Sequence, residues 1–369
     1  MSINNQTNTS LQGQSGSGAF AGTQGPVFSQ PTTVSNPIIT ANYSTAFPGN
    51  LFSLIQGASL TAAGFTSTFL IGKWQGFGSE RFLDVLDLSG IQELDGGLGE
   101  NDFPFLNNLM GSSLVNWDGD FPSATGSTLA SISFPALTNL TGSLPSTLTF
   151  APSTSVPLNG VISIGGSVSA DFSNASSINL TGLEYLGGSW TSTPPPTATD
   201  FNLSAAITIA GSISFTANVA LNNFITPSLV NLGSLSVTAA GVNSVDFSSL
   251  ATVSADLIAN FAVLGELDLP AIVGIGGAIT LTAPNMTDFS LGSGLLTIGG
   301  DVTMTGMSLD QPSVDGILVS LAALDGTGGT SVYSSHTIDL SGGSSATPSA
   351  TGLTAKATLV ARSCTVTTN

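Results

Sequence analysis

The chain has 369 residues, and only 7% of them are charged, against roughly 25% in ordinary globular proteins. Its 22 acidic and four basic residues give a net charge of −18, which argues against nucleic acid and anionic membrane surfaces as partners. Cys364 and His336 are the only residues of their types. This excludes an intrachain disulfide framework and most metal or catalytic-triad chemistry.

The first 85 residues differ in composition from the rest of the chain. Residues 1–45 are rich in Ser, Thr, Gln, Asn and Gly and bury too little surface to offset their ordering entropy, so we expect an extended N-terminal attachment arm. Residues 46–85 are rich in aromatic side chains and are interpreted as an N-terminal cap of a repeat array. The chain begins without a basic region and apolar run, and its most apolar stretch, 257–283, is interrupted by charges and proline. The sequence therefore predicts neither a signal peptide nor membrane insertion.

A repeat organises the middle of the chain. Segments that start at Val245, Leu267 and Phe289 carry apolar residues at nearly the same positions, 22 residues apart. This period is typical of a leucine-rich-repeat-like β-solenoid, whose coils bury their apolar faces only by stacking. Followed back along the chain, the pattern predicts a mainly β fold with about ten coils of 22–23 residues over residues 86–308.

Glycine pairs recur at equivalent places of the repeat. Gly276-Gly277 and Gly299-Gly300 each precede the last apolar segment of their coil. Glycine tolerates positive φ and the close approach of neighbouring backbones. We therefore predict that these pairs form coil corners and do not form a phosphate-binding loop.

Residues 309–369 break the repeat. Two stretches, 313–324 and 351–362, have apolar residues at helical spacing, and strands are predicted near 337–343 and 364–369. The pattern indicates a small α/β C-terminal cap.

Three motifs resemble those of known protein families. The stretch from Ser15 to Thr32 resembles the Gly-x-Gly-x-Phe/Leu-Val … Ser-Pro-x-Phe/Leu-x-x-Pro linker of bacteriophage tail-fibre proteins. The segments 134–140 and 269–275 are similar to the L-P-x-L-x-x-I unit of leucine-rich-like repeats in bacterial surface and phage proteins. The segment 356–367 resembles the closing cap K-A-x-L-x-x-R-G-x-x-V-x of such proteins, with Ser363 in place of the glycine.

These resemblances imply a structural virion protein, a tail fibre or appendage, located in the virion. Its arm would bind other virion proteins through Phe20, Pro26, Phe28 and Pro31, and its solenoid would bind a host-surface glycan or protein. Fibres of this kind are commonly homo-oligomers, with a trimer favoured. The alternatives are a capsid decoration or head fibre protein, a bacterial surface adhesin, and a β-helical polysaccharide depolymerase.

Candidate receptor contacts come from aromatic residues, which dominate recognition surfaces. We expect Trp117, Phe121 and Trp190 to fill this role, although Trp190 occupies a core position of the repeat, which favours burial. Asp118-Gly-Asp120 resembles part of a calcium loop but lacks its remaining spacing and its distal glutamate. We therefore predict a solvated acidic loop, with no metal and no other cofactor.

Two sets of residues contain catalytic residue types. Asp246, Asp268 and Asp288 lie at matching positions of successive coils, or one residue off, and would form a ladder on one face. A ladder could supply the carboxylate pair of a glycosidase, but it is more typical of a solvated surface. Ser334–His336 and Asp339 lack the nucleophile elbow of a hydrolase. The sequence therefore predicts a protein that is not an enzyme.

Overall fold

The structure is a computed structural model, which describes these parts of the chain: 58–61, 69–71, 83–88, 92–95, 106–122, 129–152, 154–217 and 220–369. The predicted arm, with its contacts Phe20, Pro26, Phe28 and Pro31, lies outside the described residues, as does most of the predicted N-terminal cap. The chain divides into two compact units between Leu183 and Glu184. Both are built from parallel β-solenoid coils, about nine turns in all, which confirms the predicted fold class.

In the first unit, short strands alternate between two faces of the coil. The described strands are β1 (Ala58–Thr61), β2 (Phe69–Ile71), β3 (Leu83–Asp87), β4 (Glu93–Asp95), β5 (Asn108–Met110), β6 (Asn116–Trp117), β7 (Ser131–Ser133), β8 (Asn139–Leu140), β9 (Ser155–Pro157), β10 (Ser163–Ile164) and β11 (Ser177–Asn179). The first face contains the parallel sheet β1-β3-β5-β7 and the pair β9-β11, and the second face contains β2-β4-β6-β8-β10.

The second unit continues the same alternation with longer strands. The described strands are β12 (Tyr185–Leu186), β13 (Asp200–Asn202), β14 (Thr208–Ala217), β15 (Asn223–Ile225), β16 (Asn231–Ala239), β17 (Ser244–Asp246), β18 (Thr252–Val253), β19 (Leu257–Asn260), β20 (Glu266–Leu269), β21 (Gly274–Ile275), β22 (Ile279–Thr282), β23 (Asp288–Leu291), β24 (Thr297–Ile298), β25 (Val302–Thr303), β26 (Thr337–Asp339) and β27 (Thr365–Thr367). The first face contains the sheets β13-β15-β17 and β20-β23. The second face runs β12-β14-β16-β19-β22-β25-β26-β27, with β18, β21 and β24 alongside.

Alternating hydrophobicity produces these strands. In β20, Leu267 and Leu269 are buried while Glu266 and Asp268 are exposed, as expected because successive side chains of a strand point to opposite faces. The parallel register places Leu267 opposite Phe289 of the next coil. Each apolar position is therefore covered by its counterpart 22 residues on, and the core becomes a continuous column.

The predicted glycine corners are confirmed, but only one of the two expected reasons for glycine applies. A Cβ on Gly276 would lie 2.1 Å from the backbone oxygen of Ser254, and one on Gly299 would lie 2.0 Å from that of Gly276. Neither glycine has a positive φ. Close backbone approach between coils, and not an unusual backbone angle, requires glycine here.

Two helices form the predicted C-terminal cap. Helix α1 (Gln311–Ala323) begins after Asp310, whose side chain accepts a hydrogen bond from the Ser313 amide at 2.8 Å. Helix α2 (Ala350–Ala361) begins after Ser349, whose hydroxyl accepts from the Thr351 amide. The side-chain oxygens satisfy amides that the first helical turn leaves unpaired.

The cap ends the stack of the second face. Strand β26 pairs with β25, and β27 pairs with β26, all in parallel. Ser363, between α2 and β27, has a φ of 64°, a left-handed conformation that glycine adopts at little cost. Cys364 is buried beside it.

Candidate functional site

The three aromatic residues predicted to contact a receptor are all in the core. Trp117 and Phe121 have no exposed surface, and their rings stack with centroids 4.4 Å apart. Trp190 is 1% exposed, and its indole N–H donates to the backbone oxygen of Ser192 at 2.6 Å. Their burial contradicts the predicted receptor contact. The physical reason is their repeat position, since Trp117 pairs in register with inward residues of the coils on either side.

The predicted acidic loop at Asp118 and Asp120 forms hydrogen bonds with the next coil. The Asp118 carboxylate accepts from the Thr141 hydroxyl, and the Thr141 oxygen accepts from the Gly119 amide at 2.8 Å. The Asp120 carboxylate accepts from the Ser143 amide at 2.6 Å. In the part of the chain that the structure describes, no cluster of three or more His, Cys, Asp or Glu is arranged to hold a metal ion. The geometry gives these carboxylates a role in coil stacking.

The Asp120 contact belongs to a series of corner contacts that sequence reasoning missed. At each such corner, a polar side chain accepts a hydrogen bond from a backbone amide of the next coil. The pairs are Asp120 with Ser143, Ser143 with Ser167, Ser189 with Ser212, Asp256 with Ala278 and Asp301 with Thr337, at 2.6, 2.9, 3.0, 2.7 and 2.7 Å. Every acceptor directly precedes a large buried apolar residue, which is the signal that could have revealed them.

An open groove lies on the first face of the second unit. Strands β17 and β20 belong to neighbouring coils but do not join one sheet, in contrast to β15 and β17 or β20 and β23. The groove between them has a volume of about 710 Å³ and is formed by segments 243–248, 265–270 and 287–288. Its size falls in the range of ligand sites, about 300–1,000 Å³.

Four carboxylates line this groove. It brings together the predicted Asp246, Asp268 and Asp288, and it adds Glu266, which was not among the predicted residues. Glu266 lies two residues before Asp268 and therefore on the same face of β20, which is the signal that identifies it. The register pairs Glu266 with Asp288 and Asp268 with Ser290. Asp268 and Asp288 consequently stand in different columns and do not form the single ladder that was expected.

Hydrogen bonds hold several of these carboxylates. Asp268 accepts from the Ser290 hydroxyl, Asp288 accepts from the Ser313 hydroxyl at 3.0 Å, and Asp246 accepts from the Ser248 amide at 3.1 Å. The pKa of Glu266 is raised from its ordinary value of 4.5, first by a hydrogen bond with Asp268 and then by the charges of Asp268 and Asp288. The groove therefore concentrates hydrogen-bond acceptors and negative charge.

The raised pKa of Glu266 predicts a pH-dependent effect of its replacement. The folded state disfavours the ionised form of this residue, so its contribution to stability declines as the pH rises above 4.5. Glu266→Gln keeps a hydrogen-bond donor for Asp268 and removes the charge. We expect its melting temperature, measured by calorimetry, to exceed that of the wild type at pH 7 and to differ less at pH 4. Glu184→Gln, at an exposed glutamate outside the groove, is the control. Equal shifts in melting temperature for both variants would contradict the raised pKa of Glu266.

The candidate triad at Ser334–His336 and Asp339 is not assembled. His336 Nδ1 lies 3.5 Å from Asp301, and its ring packs against Tyr333 with centroids 4.8 Å apart. Asp339 accepts from the amide and hydroxyl of Ser341, at 3.0 and 2.6 Å. The structure thus gives His336 and Asp339 partners other than each other.

Comparison with models of protein families, with curated proteins and with solved structures gives no match for this chain. Within the described residues, neither helix has the length and apolar character needed to cross a membrane. The β-solenoid fold and the surfaces it presents are therefore the basis for a functional assignment.

Proposed function

We propose that this chain is a structural recognition protein of the fibre or adhesin type, and that it serves in a bacteriophage virion. The assignment as a recognition protein rests on the rows of polar side chains that the parallel stacking of coils aligns. On the second face, Asn139 donates to Asn116 at 2.8 Å, and Thr252 donates to Asn231 at 2.8 Å. Such rows repeat every ~4.8 Å and give the coils a polar surface of aligned hydrogen-bonding groups.

The virion assignment is supported by the sequence resemblances. The linker-like stretch at 15–32 resembles a pattern of phage tail-fibre proteins, and the two Leu-Pro-x-Leu-type units at 134–140 and 269–275 resemble repeats of phage and bacterial surface proteins. In this proposal the arm of residues 1–45 binds other virion proteins. A head fibre or a bacterial adhesin would use the same fold, and locating the protein in a purified particle distinguishes them.

The groove on the first face is the proposed receptor site. Its four carboxylates, together with Asn243, Ser244 and Thr287, offer acceptors and donors suited to the hydroxyl groups of a sugar. The same carboxylates repel an anionic ligand. The proposed receptor is therefore a host-surface glycan that is neutral or carries amino groups.

The Glu266–Asp268 pair supports a second candidate function, the depolymerase. A carboxyl with a raised pKa beside a second carboxyl is a feature of glycosidases. Those enzymes separate the two groups by about 5–9 Å to admit the sugar and water. Glu266 and Asp268 are instead successive outward residues of one strand, and hydrogen bonding to Asp268 is the first cause of the raised pKa of Glu266. So close an approach leaves little room for a sugar between the two groups and favours recognition over cleavage.

The test is binding of the full chain to an array of purified bacterial polysaccharides, with release of reducing ends measured in parallel. We expect binding without cleavage. The double variant Glu266→Gln/Asp268→Asn should bind about tenfold more weakly or worse, because a hydrogen bond to a charged group contributes about 1.5–3 kcal/mol. Glu184→Gln/Asp200→Asn, with the same change in net charge outside the groove, should bind like the wild type.

Two results would overturn parts of this proposal. Undiminished binding by the groove variant would exclude the groove as the receptor site. Release of reducing ends by the wild type, lost in the groove variant, would establish the depolymerase.

A further inference from the structure

Helix α2 presents an apolar stripe to solvent. It buries Gly352, Ala355 and Leu359 against the protein. On its other side it exposes a second apolar set at helical spacing, which we call the α2 stripe: Leu353, Ala357, Val360 and Ala361. An amphipathic surface helix ordinarily places charged or polar residues on this side.

The exposure of this stripe is unusual for this protein. Leu353 is 54% exposed and Val360 is 52% exposed, and together with Val332 at 55% they are the most exposed large apolar side chains among the described residues. Val332 lies in the same C-terminal cap. Contiguous exposed apolar surface of this kind marks interaction sites.

Charge is distributed so that a second copy of the chain can approach here. Residues 309–369, which form the cap, contain four acidic and two basic residues and contribute −2 to the net charge of −18. Two copies therefore repel each other elsewhere, where the remaining −16 resides, and repel little at the cap.

The charged groups of the cap helices are already engaged. Lys356 donates to the Thr368 hydroxyl at 2.9 Å, Arg362 donates to the backbone oxygen of Leu324 at 2.9 Å, and Asp315 accepts from the Ser349 amide at 2.9 Å. Burying the α2 stripe consequently leaves none of these three side chains without a hydrogen-bond partner.

We propose that the α2 stripe is a self-association surface, through which two copies of this chain pair by their α2 helices about a two-fold axis. A two-fold contact uses the same patch on both copies. The small Ala357 lies between Leu353 and Val360, so two stripes can interdigitate at the short axis separation of packed helices. The pairing goes beyond the proposed receptor binding and does not depend on it.

The test measures the mass of the full chain by light scattering during gel filtration at micromolar concentration. The wild type should have twice the chain mass of 36.9 kDa. Leu353→Asp/Val360→Asp should have the single-chain mass, with an unchanged circular dichroism spectrum because both side chains are more than half exposed. The control, Ile207→Asp/Val263→Asp, adds the same charge at apolar residues that are each 46% exposed in solenoid coils, and should keep the doubled mass.

Cross-linking gives an independent test of the geometry. Under oxidising conditions Ala357→Cys should form a disulfide between two chains, whereas the wild type, whose cysteine is buried, should not. A wild-type mass of one chain or of three chains would overturn the proposal. Retention of the doubled mass by the Leu353→Asp/Val360→Asp variant would overturn it equally.

Discussion

Replacement of Phe224 by alanine is expected to lower the free energy of unfolding by about 3–5 kcal/mol. Phe224 has no exposed surface, and its ring lies 4.8 Å from that of Phe201 and 5.4 Å from that of Phe247. These three rings come from consecutive coils. Removing the middle ring opens a cavity that the coils on both sides line and that neither can fill without leaving its register.

Tyr185→Ala provides the matched control for Phe224→Ala. Tyr185 is an aromatic residue of the same unit, but it is 43% exposed, so its removal should change stability by about 0.5 kcal/mol or less. Both variants are compared with the wild type by denaturant titration. If the free energy of unfolding falls no further for Phe224→Ala than for Tyr185→Ala, the stacked aromatic core is contradicted.

Gly299→Ala is expected to destabilise the protein by about 1–3 kcal/mol through steric overlap. The new Cβ would lie 2.0 Å from the oxygen and 2.8 Å from the carbonyl carbon of Gly276 in the preceding coil. Because both contacts are with backbone, a rotamer change cannot relieve them. The two coils would have to separate, and separation stretches the hydrogen bond from the Gly299 amide to the Ile275 oxygen, now 2.9 Å.

The same coil contains a second glycine, whose replacement by alanine is expected to raise stability. A Cβ added to Gly294 would meet no atom within 4 Å, and this glycine has no positive φ. Gly294→Ala should therefore stabilise the protein by about 0.4–1 kcal/mol by restricting the unfolded chain. Melting temperatures of the two variants provide the comparison. Shifts of equal sign and size would show that close coil contact at Gly299 does not control stability.

The fold followed from the sequence because burial imposes periodicity. Inward positions must be apolar in every coil, so Leu267 and Phe289 share a register that the 22-residue spacing already indicates. The same constraint predicted both cap helices to within a few residues of α1 and α2. A change of period from the coil to the helix is visible without any structural information.

The prediction that Trp117, Phe121 and Trp190 contact a receptor was wrong because an aromatic side chain is equally suited to a core and to a recognition surface. The spacing of the repeat would have identified Trp117 as a core residue. Leu94, Trp117 and Leu140 are spaced by 23 residues and pair in register, so all three occupy one inward position.

The groove could not be predicted in the same way. Asp246, Asp268 and Asp288 were visible as acids at related positions, but the cleft exists because β17 and β20 do not join one sheet. Pairing between coils depends on backbone positions that side-chain periodicity does not encode.

The claim that the groove between β17 and β20 is the recognition site is tested most directly by amide hydrogen exchange. The full chain is measured alone and with the polysaccharide that binds best on the array. Exchange should slow in segments 243–248 and 265–270 and stay unchanged around Trp117. Protection elsewhere, with these two segments unaffected, would contradict the assignment.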